Sequence, residues 1–430
     1  MTDRILKFHA SQGGKSFVGI KFSENAVDFY YPETFRWNKD INDIAVSDID
    51  ENISNSIRAV LSSIEFAKTK SKEKTKLNDS CDGDDFFAIK SYIWIIRDFL
   101  KNGYYKNRET VYKQNQNGKI NWKRTLSKQA LYSNGSFVYK DFVVSSKSSV
   151  DNLLVEIHQH CVKKSIFLIG WLFGVRSASI GVKNLKDIEL SNAKKKQYIY
   201  ALNLEIDKTF DDEKQLRLKN MLDVVSGLNN SINGELVYGV DSYHYVFERM
   251  IDQIYGTEND LDPYMPTGKW SCGKNASPLF PDSILRQKSD DESDIYVIID
   301  AKCYRYADEG YKNDDIAGLP TTDSIQKQLT YGDHLFKKTN GKNTIYNCFI
   351  IPYNKEKQYD KKPAGNKKLL YSELFATGEW RDVKSNKPYE KIYVFLADMR
   401  DVIEKWNEYN HDEEKADLIN DLKKLSSLAE

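Results

Sequence analysis

The pattern of apolar and polar positions changes character near residue 236. Before that point, apolar positions alternate around a polar "SEN" as in a hairpin, or recur at helical spacing as in Ile53, Ile57 and Val60. These patterns predict a hairpin over 16–32, a helix over 51–66 and a mobile polar loop over 68–85. Two buried helices are predicted over 86–105 and 151–175. Residues 1–235 are therefore expected to form a separate α+β region with up to two subdomains.

From residue 236 the pattern becomes helix, strand, strand, helix, strand, strand. A helix over 243–254 ends at Gly256, and "TTDS" opens a second helix at 321. Apolar runs predict strands at 279–285, 295–304, "TIYNCFIIPY" and "KIYVFLAD". This order is typical of one compact α/β unit over 236–400, followed by an amphipathic helical tail over 401–430.

Composition excludes several classes of protein. The 63 basic and 63 acidic side chains cancel, so any attraction for nucleic acid must be local. Five scattered cysteines without a CxxC pair favour reduced thiols in the cytoplasm over a disulfide framework. The N-terminus has no signal core, and the most apolar run, 165–175, is too short to cross a bilayer. We expect a cytoplasmic protein of two or three domains without a membrane segment.

The strand "DIYVIIDAKCYRY" (294–306) carries two charges at the end of an apolar run. With a period of two, Asp300 and Lys302 share one face and lie about 7 Å apart. The other face, with Val297 and Ile299, is wholly apolar, which predicts a central strand. Burying a charge pair there costs free energy, so the pair is expected to have a structural or catalytic role. The alternative is a solvated ion pair on an edge strand.

A second carboxylate, Asp282, follows a proline in "LFPDSILRQ". If the polar segment 286–294 closes a hairpin centred near residue 291, Asp282 lies opposite Asp300, with Cβ atoms about 5 Å apart. Two carboxylates this close repel each other unless a cation bridges them, and hard oxygen ligands suit Mg²⁺. Lys302 beside them can position a water molecule and offset phosphate charge. The spacing favours metal-dependent phosphodiester hydrolysis.

These residues resemble the PD-(D/E)xK nuclease motif, with Pro281-Asp282 followed by Asp300-Ala301-Lys302. The resemblance implies a restriction-endonuclease-like core, a mixed sheet flanked by helices, over about 240–400. It also implies that the Ala301 carbonyl joins Asp282 and Asp300 as a metal ligand. In such nucleases an acidic residue often lies on the preceding helix, and Glu248 in "VFERM" matches that position.

The segment "GLPTTDSIQKQLTYGDHL" (318–335) resembles the helix after the catalytic strand in LlaJI-type restriction endonucleases, which are related to McrC. Helical spacing turns Gln328 towards the sheet and Gln326 away from it, so Gln328 is expected to orient the site. Family members often carry aspartate directly before the isoleucine, where this chain has Ser324. That difference leaves the role of Asp323 open.

The segment 101–150 is strongly basic. It holds ten basic and two acidic side chains, a local excess of eight positive charges. Amides, a tryptophan and cations interleave in 112–129, a composition that can contact phosphates and base edges. The predicted DNA-binding residues are Lys113, Gln114, Asn117, Lys119, Asn121, Trp122, Lys123, Arg124 and Lys128. Its "GKINWKRT" also resembles a segment of LlaJI-like proteins. The alternative is a solvated basic face with Trp122 in the core.

Two other motifs are weaker. "GGKS" (13–16) lacks the glycine that a phosphate-binding loop needs at position 9, which is His9, so we expect no NTPase activity. His158, His160 and Cys161 could ligate zinc, but His158 and Cys161 also match an ordinary helix face.

The leading hypothesis is a Mg²⁺-dependent, type II-like endonuclease that cleaves double-stranded DNA in restriction–modification or phage defence, with Mn²⁺ expected to substitute. One site cuts one strand, so double-strand cleavage implies a homodimer, transient pairing on DNA, or a multi-subunit assembly. One alternative is a McrC-like nuclease subunit that depends on a separate AAA+ GTPase. The other is a non-catalytic DNA-binding protein with a nuclease-like core.

Overall fold

A computed structural model describes most of the chain. The described residues are 4–11, 17–23, 26–37, 41–73, 89–105, 107–115, 119–128, 130–150, 153–181, 188–227, 236–258, 260–261, 264, 266–273, 275–288, 293–303, 319–356, 369–371, 377–381 and 384–427. The chain divides into two compact units. The first unit is Met1–Asp84 with Val237–Glu430, and the second unit is Asp85–Leu236. The sequence places one division near 236, and the structure adds another after Asp84.

The first unit begins with strands and a long helix. These are β1 (Ile5–Ser11), β2 (Val18–Phe22), β3 (Ala26–Pro32), β4 (Ile44–Ala45) and α1 (Glu51–Glu73). The predicted hairpin is confirmed, because β2 and β3 pair antiparallel from Gly19↔Tyr30 to Phe22↔Val27. Helix α1 continues beyond the predicted end at 66 to Glu73. Lysine and glutamate are good helix formers, so this extension needs no apolar face. The rest of the predicted loop, 74–85, lies outside the described residues.

The second unit combines a helical core with small sheets. Its elements are α2 (Ile89–Asn102), β5 (Asn107–Gln114), β6 (Lys119–Ile120), α3 (Trp122–Leu126), β7 (Leu131–Ser133), β8 (Ser136–Val138), β9 (Val143–Val150), α4 (Leu153–Ile169), α5 (Asn192–Lys208) and α6 (Asp212–Ser226). The two predicted buried helices are confirmed as α2 and α4, which pack against each other and against α6. Strand β9 pairs antiparallel with β5 and β6, and β7 with β8.

The rest of the first unit contains the predicted α/β order. Its elements are β10 (Leu236–Val240), α7 (Tyr243–Tyr255), β11 (Ser283–Gln287), β12 (Ile295–Ala301), α8 (Thr322–Lys338), β13 (Thr344–Tyr353), β14 (Leu370–Tyr371), β15 (Thr377–Gly378), β16 (Ile392–Asp398), α9 (Met399–Lys405) and α10 (Asp412–Ser427). The added strand β10 joins the N-terminal sheet, whose order is β10-β2-β3-β1-β4. The described residues therefore form a mixed α/β structure, with the second sheet built wholly from the C-terminal region.

That second sheet has the order β11-β12-β13-β16-β14, with β15 also paired to β16. Strands β12, β13 and β16 are parallel, and β11 is antiparallel to β12, which makes the sheet mixed. Helix α8 covers one face, because Tyr331 and Leu335 pack with Tyr296 and Ile298 of β12. Val297 and Ile299 on the opposite face of β12 are also buried. Strand β12 is therefore central, as its apolar pattern predicts.

Candidate active site

The hairpin of β11 and β12 brings two aspartates together. Ser283 pairs with Ile299, and the same register continued by one residue sets Asp282 opposite Asp300. This is the register predicted from a hairpin centre at residue 291. Asp282 accepts a hydrogen bond through Oδ2 from the backbone N–H of Ala301 at 2.8 Å. Both carboxyl groups therefore lie where β12 ends.

The other end of this hairpin is fixed by an ion pair. Arg286 donates from Nε and Nη2 to Asp294 Oδ2 at 2.8 and 2.6 Å. A one-residue slip would turn every side chain of β11 to the opposite face and break this pair. The position of Asp282 relative to Asp300 is thus set at both ends of the strand pair.

Lys302 is half-buried and forms an ion pair with the buried Asp300. Its Nζ lies 2.6 Å from Asp300 Oδ2, and its backbone N–H donates to the Ile350 carbonyl at 2.9 Å. Asp300 is only 1% exposed, and β12 has β11 and β13 on its two sides. The alternative of a solvated pair on an edge strand is therefore wrong.

The carboxyl groups of the cluster are hard to ionise together. Burial, followed by the neighbouring Asp300 and Glu248, raises the pKa of Asp282 well above its usual range. Burial also raises the pKa of Glu248 to about 7, with Lys302 opposing and Asp300 adding to the shift. Burial disfavours the Lys302 ammonium, yet Asp300 and Asp282 outweigh it and raise the lysine pKa. One ammonium thus lies within electrostatic reach of three carboxyl groups, so the cluster favours an additional cation or bound protons.

Glu248 reaches this cluster from α7. The helix buries Val246, Phe247 and Met250, and Glu248 lies half-buried beside that apolar face. The Coulomb effects of Lys302 and Asp300 on its pKa show that the three side chains lie within electrostatic reach of one another.

Gln328 of α8 points into the sheet, as helical spacing predicts, and Gln326 is exposed. Its Nε2 donates to the Ile298 carbonyl at 2.9 Å and approaches Asn347 Oδ1 at 3.5 Å. Asn347 in turn donates from Nδ2 to the Tyr389 carbonyl at 2.7 Å. Gln328 therefore contacts the backbone of β12 two residues before Asp300. Asn347 was not predicted from the sequence. The feature that could have indicated it is a lone polar residue inside the apolar strand Thr344–Tyr353.

Tyr331 is a second residue whose contact near the site was not predicted from the sequence. Its hydroxyl donates to the Phe280 carbonyl at 2.6 Å, and its ring is buried in the core beneath α8. This bond holds the chain two residues before Asp282. The available signal was the i, i+3 spacing of Gln328 and Tyr331 on one helix face.

Several buried polar atoms of this region lack a hydrogen-bond partner, namely Asp300 Oδ1, Gln328 Oε1 and Ser283 Oγ. Buried acceptors without donors are costly, and a bound cation or water can satisfy them. Within the described ranges, no three His, Cys, Asp or Glu side chains are grouped closely enough to hold a metal ion alone. A metal here would therefore need main-chain or water oxygens beside Asp282 and Asp300.

The predicted DNA-binding residues lie on the surface of the second unit. Lys113 and Gln114 end β5, Lys119 begins β6, and Lys123, Arg124 and Lys128 are exposed on or after α3. Asn117 lies outside the described residues.

Two of these residues also have structural contacts. Asn121 caps α3 by accepting from the Arg124 backbone N–H at 3.1 Å, and the Arg124 guanidinium lies 3.7 Å from the centre of the Tyr112 ring. Trp122 is 56% exposed, so its alternative placement in the core is wrong.

The histidine–cysteine motif is part of the helical core. His158 accepts through Nδ1 from the Tyr105 backbone N–H at 3.1 Å, and burial lowers the pKa of His158 to about 4. Cys161 is fully buried with its Sγ 3.6 Å from the Met221 carbonyl. These contacts match the helix-face interpretation. The "GGKS" segment, 13–16, falls outside the described residues. Where the structure is described, the helices are too short or too polar to span a bilayer.

A largely enclosed carboxylate–lysine cluster at the end of a central strand is an arrangement suited to a restriction-type nuclease. The family model for the LlaJI restriction endonuclease matches residues 17–372, and the chain belongs to that family. The chain is also 24% identical over 299 residues to the "Type II restriction enzyme BsuMI component YdjA" of Bacillus subtilis (strain 168). This alignment covers 66% of the chain and 62% of the curated relative.

Two solved assemblies have weaker similarity. The first is a half-complex from a tetradecameric assembly of Thermococcus gammatolerans McrB AAA+ hexamers with bound McrC, at 14% identity and a TM-score of 0.39, covering 94% of this chain and 82% of the matched chain. The second is the McrBC complex of the same organism, at 17% identity and a TM-score of 0.24, covering 55% and 64%.

Proposed function

We propose that this chain is the nuclease of a restriction system and hydrolyses phosphodiester bonds of double-stranded DNA with a bound Mg²⁺. The observation that carries the proposal is the cluster of the buried Asp300 with the half-buried Asp282 and Lys302, with Glu248 in electrostatic reach. Two further carboxyl groups, Asp282 and Glu248, lie within electrostatic reach of the Asp300–Lys302 pair, which is more acidic groups than a structural ion pair needs.

The donor set fits a hard divalent cation. Asp282 and Asp300 supply carboxylate oxygens, and Asp300 Oδ1 is buried without a partner. The backbone N–H of Ala301 faces Asp282, whereas that of Lys302 faces β13. In an extended strand the N–H and C=O of one residue lie on the same edge, so the Ala301 carbonyl would face the Asp282 side. These oxygens suit Mg²⁺, with Mn²⁺ as a substitute.

Each side chain of the cluster has a task in this proposal, and that of Glu248 is to assist a metal ligand or a second ion. The bound ion would supply Lewis-acid polarisation of the phosphate and lower the pKa of a coordinated water. The Lys302 ammonium positions the attacking water and offsets charge that develops on the phosphate. Gln328 and Tyr331 hold the backbone on either side of the two aspartates.

The relative's name supports a version in which the chain is one subunit of a larger enzyme. That protein is called a component of a type II restriction enzyme. In this version the nuclease stays idle until a separate AAA+ GTPase binds it, as the McrC resemblance implies. A non-catalytic DNA-binding protein is the remaining alternative, and the complete Asp-Asp-Lys set argues against it.

A cleavage assay on plasmid DNA tests the proposal. The chain is assayed with Mg²⁺, Mn²⁺ or EDTA, with and without GTP and the product of the neighbouring gene. Asp300→Ala and Lys302→Ala are each expected to lower the rate of DNA cleavage by about a hundredfold or more. Lys337→Ala is the matched control, because Lys337 also pairs with an aspartate at 2.6 Å but is exposed.

The outcomes separate the versions. If both cluster variants stay folded and cleave at the wild-type rate, the site assignment is wrong. Cleavage by the chain alone eliminates the dependence on a partner. Sequencing of the cleaved ends then gives the recognition site and cut position.

A further inference from the structure

A hairpin-like loop lies directly before the candidate site. We call residues 266–280 the Trp270 loop; of these, residue 274 lies outside the described residues. Its backbone is closed by hydrogen bonds from Ala276 N–H to the Gly268 carbonyl at 2.7 Å and from Leu279 N–H to the Pro266 carbonyl at 3.1 Å. Gly273 adopts φ +85° at the tip, a conformation that glycine reaches without strain, and donates to the Trp270 carbonyl at 2.9 Å.

The base of this loop is fixed relative to the two aspartates. Phe280, its last residue, accepts the hydrogen bond from the buried Tyr331, and Pro281 and Asp282 follow at once. Two extended residues span at most about 7 Å. The end of the loop at Phe280 therefore lies within about 7 Å of a proposed metal ligand.

The surface of the Trp270 loop is apolar and basic. Trp270 is 66% exposed, and Leu279 and Phe280 are each 38% exposed. Among its described residues the loop has the exposed Lys269 and no aspartate or glutamate. The packing of the first unit does not explain an exposed tryptophan that follows an exposed lysine in a loop leading to a cluster of carboxyl groups.

We infer that the Trp270 loop contacts the DNA beside the bond to be cleaved and positions it, an inference that rests on the proposed function. Each strand of B-DNA rises about 3.4 Å per nucleotide, so the loop base lies within about two nucleotides of a phosphate held at Asp282. A duplex at the site would then lie against the loop. Lys269 can pair with a phosphate, and the Trp270 ring can pack on the sugar or base edges. This is a positioning role, separate from the chemistry at Asp300 and Lys302.

Cys272 offers a probe at the tip of the loop that needs no substitution. It is exposed, whereas Cys161 and Cys348 are buried and Cys303 is half-buried. The full chain is mixed with a cleavable duplex in Ca²⁺ instead of Mg²⁺, with the neighbouring gene product added if DNA binding requires it. Alkylation of Cys272 by N-ethylmaleimide is followed by mass spectrometry. DNA is expected to slow this alkylation about tenfold, and an unchanged rate under saturating DNA overturns the inference.

A set of tryptophan variants tests positioning in the cleavage reaction. Trp270→Ala is expected to raise KM and the Kd for DNA about tenfold with kcat within twofold, and Trp270→Phe to retain most of the affinity. Trp380→Ala is the matched control, because Trp380 is another exposed tryptophan of the first unit.

The two proposals fail in different ways. If wild type cleaves, Asp300→Ala does not, and Trp270→Ala matches wild type, the inference is wrong and the proposed function stands. If Trp270→Ala instead alters the size of the protein assembly and leaves DNA affinity unchanged, the loop is a protein contact and the inference is also overturned. If wild type neither binds nor cleaves DNA, with or without the neighbouring gene product, both the proposed function and the inference about the Trp270 loop are wrong.

Discussion

The substitution Asp282→Asn separates an active site from a structural ion pair, because the two predict opposite changes in stability. In the metal-free protein, Asp282 is repelled by Asp300 and Glu248, and its pKa is raised by burial and by these neighbours. An amide at position 282 keeps an acceptor for the Ala301 N–H, which lies 2.8 Å from the present carboxylate. It also provides a donor for Asp300 Oδ1, which has no partner. The substitution should therefore stabilise the first unit while abolishing cleavage.

The magnitude follows from the geometry. Two charges about 5 Å apart repel by roughly 3 kcal/mol at an effective dielectric constant of about 20. Lys302, paired with Asp300 at 2.6 Å, offsets part of this repulsion. We expect Asp282→Asn to raise the free energy of unfolding by about 1 to 2 kcal/mol in EDTA at neutral pH. Because the folded-state pKa of Asp282 is raised, the stability of the wild type falls as pH rises above about 4. The increase in the free energy of unfolding caused by Asp282→Asn should therefore shrink as pH is lowered towards about 4.

Urea unfolding in EDTA and in Mg²⁺ measures both effects. Mg²⁺ at ten times its Kd should stabilise wild type by about 1.4 kcal/mol and the variant by much less. Asp333→Asn is the control: it removes the exposed partner of Lys337 and should change stability by less than about 0.5 kcal/mol. A loss of 1 kcal/mol or more in Asp282→Asn in EDTA, with no selective effect of Mg²⁺, would refute the metal-site reasoning.

Three further predictions concern the surrounding structure. Tyr331→Phe removes the bond to the Phe280 carbonyl and should cost about 1 kcal/mol while lowering kcat; an unchanged cleavage rate would contradict its positioning role. Arg36→Met leaves the buried Asp398 without its guanidinium partner at 3.2 Å and should lower the free energy of unfolding by roughly 3 kcal/mol. Urea unfolding measures this loss, with Arg381→Met at an exposed position as the control. In the second unit, burial lowers the pKa of Lys164 to about 7. The unfolded chain therefore binds more protons above pH 7, and stability should rise by roughly 2 kcal/mol from pH 7 to 9, a rise that Lys164→Met should remove.

The sequence alone determined the local parts of the candidate site. Alternation in 295–301 separates the two faces of β12, and the length of the polar segment sets the register that opposes Asp282 and Asp300. Helical spacing likewise turned Gln328 inward. These features follow from short-range periodicity, because a side chain's direction depends on its position in its own element.

Only the tertiary structure decided which distant segments support that site. The bonds from Tyr331 to Phe280 and from Asn347 to Tyr389 join separate elements, and Arg36 reaches Asp398 across 362 residues. The same holds for the N-terminal strands, which group with the C-terminal region in one compact unit. Such pairings leave no periodic signal in the chain, because they depend on how whole elements pack. The exposure of Trp122 and Trp270 was decided in the same way, since an aromatic residue in the sequence is compatible with either core or surface.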